Sequence, residues 1–319
     1  SRVSRGLGDV YKRQLLTNRI KHSEYSFGKP DVAEPGDEGY LMVGFDSETG
    51  EVAGTTGIEA SIGWDVPFYS YHISKVVHSS PKLGVNNVVK LLTFGNNYTG
   101  NSEICTLFLR EKFRQGLNGR LMSKCRFLMM AEHPERFSET IFAEMRGVSD
   151  DEGNSPFWQW LQEHFFSIDF TLADYLTGIG KKGFIADLMP KLPIYINLLS
   201  PEAQAVIGQV HDNTRPALKL LEREGFTNRG YVDIFDGGPT VECDLRNIES
   251  VRHSFRAQVK ISEHSSTQDF LMCNSSFENF RATVTKAAYD AETQSVMIVP
   301  DVADALSVEE GDFVRLLPQ

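Results

Sequence analysis

The chain has 319 residues and lacks several features that mark whole classes of protein. Its four cysteines never fall in a C-x-x-C spacing, which argues against a disulfide or zinc scaffold and for reduced thiols in a cytoplasmic protein. No apolar run reaches the length of a membrane span, and no signal peptide is evident. No basic run stands out in a chain of net charge −11, so we expect neither nucleic-acid nor membrane partners.

Signatures of metal and covalent catalysis are missing as well. His, Cys, Asp and Glu residues nowhere show the spacing of metal ligands, and we predict no metal site. The sequence contains no Gly-x-Ser-x-Gly elbow and no local signature of a nucleophilic cysteine. We therefore expect no covalent enzyme intermediate. A homo-oligomer is compatible with the sequence.

The most informative segment that is present runs from Glu103 to Glu132. Its apolar run Ile104 to Leu109 predicts a buried strand, and apolar residues at the 3.6 period predict a helix over Arg120 to Glu132. The turn between them contains glycines, which suit positive φ and close backbone approach. Because the N-terminus of such a helix presents unpaired N–H groups, the unit suits the pyrophosphate of a nucleotide-like cofactor. An ordinary β-turn-α unit is the alternative.

A second segment gives this unit a context. Residues 213–226, NTRPALKLLEREGF, resemble the helix-then-Gly-Phe element of the GNAT superfamily of N-acyltransferases. That superfamily binds acyl-coenzyme A where a strand meets a phosphate-gripping turn that usually reads Arg/Gln-x-x-Gly-x-Gly/Ala. The corresponding residues here are Arg114, Leu117 and Gly119, so a leucine replaces the first glycine. Gly116 stands one place earlier and is expected to relieve the turn. The resemblance implies that Arg114, Gly116 and Gly119 bind the cofactor.

Longer blocks narrow the resemblance to the arginine N-succinyltransferase family. Five blocks carry it in the family's order: Asn97 to Leu109, Ala143 to Val148, Ser155 to Gln159, Val206 to His211 and Ile234 to Thr240. Several separated blocks are more specific than one glycine pattern. The resemblance implies transfer of a succinyl group from succinyl-CoA, a co-substrate, to the α-amine of L-arginine. This reaction opens a bacterial route of arginine catabolism, and no permanently bound cofactor is expected.

The fold expected from the resemblance is α+β, with two acyltransferase-like halves of mixed sheet and helix and a small C-terminal β domain. We place the first half at residues 15–167, the second at 168–249 and the β-rich, barrel-like domain at 250–319. Residues 1–14 do not resemble the family and are expected to be an extension in place of its opening strand. The segments 156–166 and 216–226 both run from Pro to Phe, each after a strand-like run (141–148 and 205–210), which suggests duplication.

Two residues are expected at the reaction centre. In the GNAT superfamily the splayed strand before the phosphate turn offers a backbone N–H to the acyl carbonyl, and the resemblance puts that position at Leu107. Strand core is the alternative role for Leu107. His211 ends an apolar run just before a helix start, and an imidazole can exchange protons at neutral pH. The matching histidine in the family is the proposed proton donor, whereas a lone histidine is more often a packing or turn residue.

Arginine as acceptor requires carboxylates for its guanidinium and a cation or N–H group for its α-carboxylate. Asp236, Glu242 and Glu144 are the candidates for the guanidinium, and Arg146 is the candidate for a substrate carboxylate. Turn and strand-edge roles are the alternatives for all four residues. Two other functions stay open from the sequence: a succinyltransferase for ornithine or another amino acid, and a non-catalytic acyl-CoA-binding subunit.

Overall fold

The structure is a computed structural model that describes residues 2–150, 153–166, 188–263, 266 and 268–319. Its helices are α1 Arg2–Phe27, α2 Asn118–Glu132, α3 Pro156–Phe165, α4 Pro201–Val206, α5 Arg215–Arg223, α6 Glu249–His253 and α7 Pro300–Leu306. The first strands are β1 Gly39–Phe45, β2 Val52–Glu59, β3 Ser70–Ser80, β4 Val85–Gly95, β5 Ser102–Leu109, β6 Thr140–Glu144 and β7 Ile194–Tyr195. The others are β8 Thr227–Asp233, β9 Pro239–Asp244, β10 Phe255–Ile261, β11 Gln268–Asn274, β12 Ala282–Asp290, β13 Ser295–Ile298 and β14 Phe313–Pro318.

A nine-stranded sheet in the order β1-β2-β5-β6-β9-β8-β3-β4-β7 forms the body of the protein. Strands that we predicted in different halves of the chain alternate in it, because β9 pairs with β6 and β8 pairs with β3. The predicted boundary at residue 167 lies outside the described residues. The sheet is antiparallel except at β5 and β6, which run parallel. All of the candidate site residues lie on or beside its central strands.

The C-terminal strands β10 to β14 close into a small barrel in the order β10-β13-β12-β11-β14. A buried cluster that includes Phe270, Met272 and Leu316 fills its interior. The predicted α+β fold with a small C-terminal β domain is therefore confirmed. Helix α2 connects the barrel to the sheet, since its Leu128 packs against Leu271 of the barrel while Phe127 enters the core under the sheet.

One predicted strand is wrong. Residues 205–210 do not form a strand: helix α4 covers the first of them, and only Val210 makes an isolated bridge, to Gly147. Ser200 caps this helix by accepting a hydrogen bond from Ala203 N, and Pro201 starts its first turn. The helix cap at Ser200 therefore decides the local structure, although the apolar pattern predicted a strand. Of the two Pro-to-Phe segments, only the first is preceded by a strand, so the suggested duplication stays a hypothesis.

The opening helix also extends further than we expected from the sequence. Helix α1 runs from Arg2 to Phe27 without a break at the predicted boundary near residue 14. Its Arg19 Nη2 bonds Glu59 Oε1 of β2 at 3.1 Å and Thr106 Oγ1 of β5 at 2.6 Å. Strand β1, which α1 packs beside, pairs only with β2 among the described strands. The helix thus reaches the strand that carries Leu107.

Candidate active site

The sheet opens between its two parallel strands. Strand β5 pairs with β6 only at Ser102 and Glu103, although β5 continues along β2 as far as Leu109 and β6 continues along β9 as far as Glu144. Past Glu103 the two strands therefore diverge. Parallel strands end at the same edge of a sheet, and the crevice outside their C-terminal ends is a common binding position. Leu107 lies on one arm of this opening.

A bulge fixes the shape of the β5 arm. Thr106 has φ of 56°, a left-handed conformation that is costly for a β-branched residue, and the register with β2 shifts there. Three partners hold it: Arg19 contacts its hydroxyl, Thr55 Oγ1 donates to its carbonyl at 3.1 Å, and its own hydroxyl donates to Cys105 Sγ. Strain held by several contacts is typical of functional sites. The neighbouring Leu107 is about one-third exposed rather than packed in the core.

The turn after β5 leads into the N-terminus of α2. Gly116 has φ of 56°, whereas Leu117, the N-cap, has φ of −95° and needs no positive φ. Gly116 therefore relieves the turn as predicted. Apart from its chain neighbours and its own helix backbone, no described atom lies within 4 Å of the place where a Cβ would stand at Gly116 or Gly119, so a ligand can approach the backbone there. No side chain caps α2 and its first turn holds no acidic residue, which leaves N–H groups for an anion.

Cationic side chains surround this turn. Arg110 and Lys112 both pair with Glu51 of the β1–β2 connection. Arg114 Nε donates to Leu109 O at 2.8 Å, which folds the side chain back over the turn. The exposed Arg120 and Arg114 form no ion pair with another described residue. Positive charge is thus concentrated at one helix N-terminus of an acidic chain.

His211 lies beside the end of β6. Its backbone N donates to Arg146 O at 2.9 Å, next to the bridge between Gly147 and Val210. The ring Nδ1 accepts a hydrogen bond from Asn213 N at 3.1 Å, because His211 caps a one-turn helix. A neutral imidazole with Nδ1 engaged as acceptor carries its proton on Nε2. His211 therefore presents a donor N–H from a half-buried position.

Asp236 holds a turn against the same strand end. Its Oδ2 accepts from Gly147 N at 2.7 Å and its Oδ1 accepts from Gly238 N at 2.8 Å. Gly238 permits the approach, since a Cβ there would stand 2.2 Å from Met145 O. Asp236 is thus close to Arg146 and His211 in the fold, with both oxygens used by backbone N–H groups. Beneath it, burial and the charge of Asp236 raise the pKa of Asp233.

Glu144 and Glu242 lie around one tyrosine. Tyr98 OH donates to Glu242 Oε2 at 2.6 Å, and its ring stacks on Phe142 of β6 at 4.3 Å. Glu242 Oε1 also pairs with Arg229 Nε at 3.1 Å. Burial raises the pKa of Tyr98, and the hydrogen bond to Glu242 and the charge of Glu144 raise it further. The phenol therefore stays protonated and acts as a donor toward these carboxylates.

A cavity of about 440 Å³ opens on the face of the sheet that carries Phe142. The aromatic rings of Trp64 and Phe68 belong to its wall, and none of its lining residues is Lys or Arg. Its carboxylates are Asp37, Glu59, Asp65, Glu103 and Glu144. Glu59 and Glu103 are directly opposite each other on β2 and β5, and burial raises the pKa of Glu59 although Arg19 opposes the shift. Carboxylates and aromatic faces together suit a cationic ligand.

The geometry thus consists of a cationic helix N-terminus after β5, an acidic cavity over β2, β5 and β6, and a histidine beside the end of β6. The family described as Arginine N-succinyltransferase beta subunit matches residues 9–250, and the C-terminal domain of that subunit matches residues 255–318. The chain belongs to the arginine N-succinyltransferase family. It is therefore an acyltransferase.

Individual relatives support membership of the arginine N-succinyltransferase family. The arginine N-succinyltransferase of Salmonella schwarzengrund (strain CVM19633) is 47% identical over 290 residues, which cover 90% of this chain and 83% of the relative. That of Salmonella paratyphi B is 47% identical over 285 residues, covering 88% and 82%. The solved structure of arginine/ornithine succinyltransferase subunit AI from Pseudomonas aeruginosa superposes with a TM-score of 0.85 at 36% identity, covering 95% of this chain and 88% of that one.

Several residues of the site escaped prediction from the sequence. Thr106 gives no signal, because a threonine inside an apolar run is typical of a regular strand. Glu59 and Glu103 are far apart in sequence, and only the register of β2 and β5 makes them neighbours. Tyr98 lies in one of the blocks that resemble the family, but no role was predicted for this residue. Arg120 comes directly after the glycine-containing turn, and that position indicates a phosphate contact.

Within the part of the chain that the structure describes, no group of three or more His, Cys, Asp or Glu side chains is placed to hold a metal ion. None of the described helices is both long and apolar enough to cross a membrane. All four cysteines are free thiols, and burial raises the pKa of Cys105 to about 12. A protonated thiol is a poor nucleophile.

The raised pKa of Asp233 predicts a pH effect on stability. Above the ordinary carboxyl pKa of 3.8 the unfolded chain releases this proton while the folded chain keeps it, so the free energy of unfolding falls as pH rises. In the wild type, Asp233 lowers the free energy of unfolding by up to about 1.4 kcal/mol per pH unit, and Asp233→Asn should remove this contribution. Urea unfolding at a series of pH values measures the free energy of unfolding.

Asp290→Asn is the matched control for this measurement. Asp290 is an exposed turn carboxylate, and a hydrogen bond from Thr293 lowers its pKa. The slope of the free energy of unfolding against pH, between about pH 5 and 7, should therefore equal that of the wild type. Equal slopes for the wild type and Asp233→Asn would show that Asp233 is ionised in the folded protein.

Proposed function

We propose that this acyltransferase moves the succinyl group of succinyl-CoA to the α-amine of L-arginine, forming N2-succinyl-L-arginine and CoA. The observation that carries the proposal is the presence of two opposite electrostatic environments, one at the turn after β5 and one in the cavity over β2, β5 and β6. The anionic donor suits the cationic turn before α2, and the cationic acceptor suits the acidic cavity beside β6. The names of the Salmonella relatives agree with this substrate pair.

The donor is expected to lie along the β5 arm. The pyrophosphate of CoA would bind the free N–H groups at Gly119 and its neighbours, with Arg114 and Arg120 as charge partners. The pantetheine would then follow the edge of β5 that β6 leaves unpaired past Glu103. The bulge at Thr106 aims the backbone of Leu107 at the acyl carbonyl, where an N–H would stabilise the developing negative charge.

His211 is the proposed proton donor. Attack of the neutral α-amine forms the C–N bond, and collapse of the intermediate breaks the C–S bond to CoA. The amine loses one proton and the departing sulfur needs one. Nε2–H of His211 can supply the sulfur and recover the amine's proton, because Asn213 N fixes the tautomer. No covalent enzyme intermediate is required.

The acidic cavity is the proposed site of the guanidinium. Glu144 belongs to its wall and to the strand that ends beside His211, so a side chain bound there leaves the α-amine near the reaction centre. Asp236 and Glu242 are proposed as supporting carboxylates, although each already serves a neighbour. Arg146 is proposed as partner of the α-carboxylate. The product would enter arginine catabolism, and free thiols fit a cytoplasmic, reducing compartment.

The direct test is thiol release from acyl-CoA by the purified full chain. Release should require both succinyl-CoA and L-arginine, and mass spectrometry should identify N2-succinylarginine. L-ornithine belongs in the assay, since the Pseudomonas aeruginosa relative is an arginine/ornithine succinyltransferase subunit. Faster release with ornithine than with arginine would overturn the proposed acceptor. Folded protein that binds succinyl-CoA without any release would indicate a non-catalytic subunit.

Replacement of His211 tests the proton donor. His211→Asn keeps an acceptor for Asn213 N and removes the imidazole, so kcat should fall by roughly 10²–10⁴-fold while the affinity for CoA changes little. His164→Asn is the control, because that histidine lies on α3 and stacks on Trp160. An unchanged kcat in His211→Asn would remove His211 from the mechanism.

Replacement of Glu144 tests the guanidinium site. Glu144→Gln keeps the shape and removes the charge, so KM for arginine should rise by about tenfold or more, with a smaller change in KM for succinyl-CoA. Glu48→Gln, an exposed glutamate of the β1–β2 loop, is the matched control. A KM for arginine equal to that of the wild type would place the guanidinium elsewhere.

A further inference from the structure

Arg126 is a buried cation for which the described residues provide no counter-charge. It lies on α2 and is 2% exposed. Its Nε donates to Ser123 O at 2.9 Å and its Nη2 donates to Ser123 Oγ at 3.2 Å, so both acceptors belong to its own helix. No described acceptor bonds its Nη1, and no described carboxylate forms an ion pair with it. Burial of a guanidinium with only two neutral acceptors is costly.

Other buried charges of the protein are better compensated. Two buried glutamates each pair with a lysine, in the pairs Glu38–Lys29 and Glu224–Lys124. Arg136, also buried, donates to two backbone carbonyls and covers the ring of Phe277 at 3.8 Å. The ring of Phe127, in contrast, lies 5.8 Å from the guanidinium carbon of Arg126. Arg126 therefore stands out among the buried charges of the described chain.

The acidic groups that act on Arg126 are uncharged at neutral pH. Burial lowers the pKa of Arg126, and the thiols of Cys125 and Cys105 are the only described groups that oppose the shift. Burial raises the pKa of Cys125 to about 11 and that of Cys105 to about 12. Both thiols are therefore protonated at neutral pH, and they leave the positive charge of Arg126 without a negative neighbour.

These contacts place Arg126 beside the opening between β5 and β6. Helix α2 packs against β5, and the electrostatic contact with Cys105 links Arg126 to that strand. Cys105 lies past Glu103, where β6 no longer pairs with β5, and it immediately precedes the bulge at Thr106. The bonds to Ser123 also direct the guanidinium back toward the N-terminus of α2. The uncompensated charge thus lies next to the strand proposed to hold the acyl donor.

A succinyl group carries the charge that this position lacks. Two methylene groups separate its distal carboxylate from the thioester carbonyl, a span of the order of one to two residues along a strand. With the carbonyl at the backbone of Leu107, the carboxylate would fall beside Thr106 or Cys105. A guanidinium matches a carboxylate with two parallel hydrogen bonds, and such charged bonds are strong where water is excluded.

We propose that Arg126 binds the distal carboxylate of the acyl group and thereby selects succinyl-CoA over thioesters that lack this carboxylate. The proposal rests on the proposed function, because it requires an acyl-CoA bound along β5. An acyl group of the same length without the carboxylate would leave the buried guanidinium unpaired, and its thioester should bind more weakly.

The affinities for two thioesters test the proposal. Succinyl-CoA and butyryl-CoA both have four-carbon acyl groups and differ in the distal carboxylate, and calorimetric titration without an acceptor gives the Kd of each. The wild type should bind succinyl-CoA roughly tenfold or more tightly than butyryl-CoA, and Arg126→Met should remove most of this ratio. Arg126→Lys keeps the charge without the planar fork and should lower the ratio severalfold. Arg120→Met is the matched control, which should weaken both thioesters equally and keep the ratio.

The urea midpoint separates this role from a structural one. Arg126→Met should keep or raise the midpoint, since it removes a buried charge, whereas a structural role would lower the midpoint and leave the ratio unchanged. Equal affinities of the wild type for the two thioesters, or an unchanged ratio in either folded Arg126 variant, would overturn the proposal. The titration needs no acceptor and no turnover. A missing thiol release with arginine, beside the predicted ratio, would therefore overturn the acyl transfer alone.

Discussion

The separation of β5 from β6 is the constraint on which the rest of the structure depends. Two parallel strands that pair at Glu103 and then part leave backbone groups without a strand partner, which a stable sheet normally avoids. The antiparallel neighbours β2 and β9 hold the two arms, and the bulge at Thr106 bends one of them. Helix α1 supports the bulge through Arg19, while α2 begins where the β5 arm ends. The opening is therefore built into the register of the sheet.

Charge is divided between two parts of the site. The turn before α2 combines helix N–H groups with Arg114 and Arg120, whereas the cavity over β2, β5 and β6 is lined by carboxylates. Under the proposed function, these opposite potentials would guide an anionic thioester and a cationic amino acid to different positions. His211 lies beside the end of β6, and a backbone contact places its proton on Nε2. The net charge of −11 does not reveal this division, because the fold decides where the charged residues lie.

Local and family signals predicted much of this arrangement from the sequence. The strand, turn and helix around Gly116 follow from hydrophobic period and turn chemistry. The roles of His211 and Leu107 come from the family blocks and stay predictions. The sequence did not reveal that β6 pairs with β9 and β3 with β8, because register between distant strands depends on tertiary packing. Glu59, Glu103 and Tyr98 were missed for that reason. The apolar run at 205–210 predicted a strand that does not form, because Ser200 caps a helix that covers its first residues.

The central claim is that the acyl donor binds along the β5 arm and the N-terminus of α2. Hydrogen–deuterium exchange of the full chain with and without CoA tests it most directly, because exchange reports protection of individual backbone segments. We predict slower exchange on CoA binding in peptides that cover 105–109 and 116–121, with little change in residues 75–90 of the β3–β4 hairpin. Protection elsewhere, with unchanged exchange in both of those peptides, would contradict it.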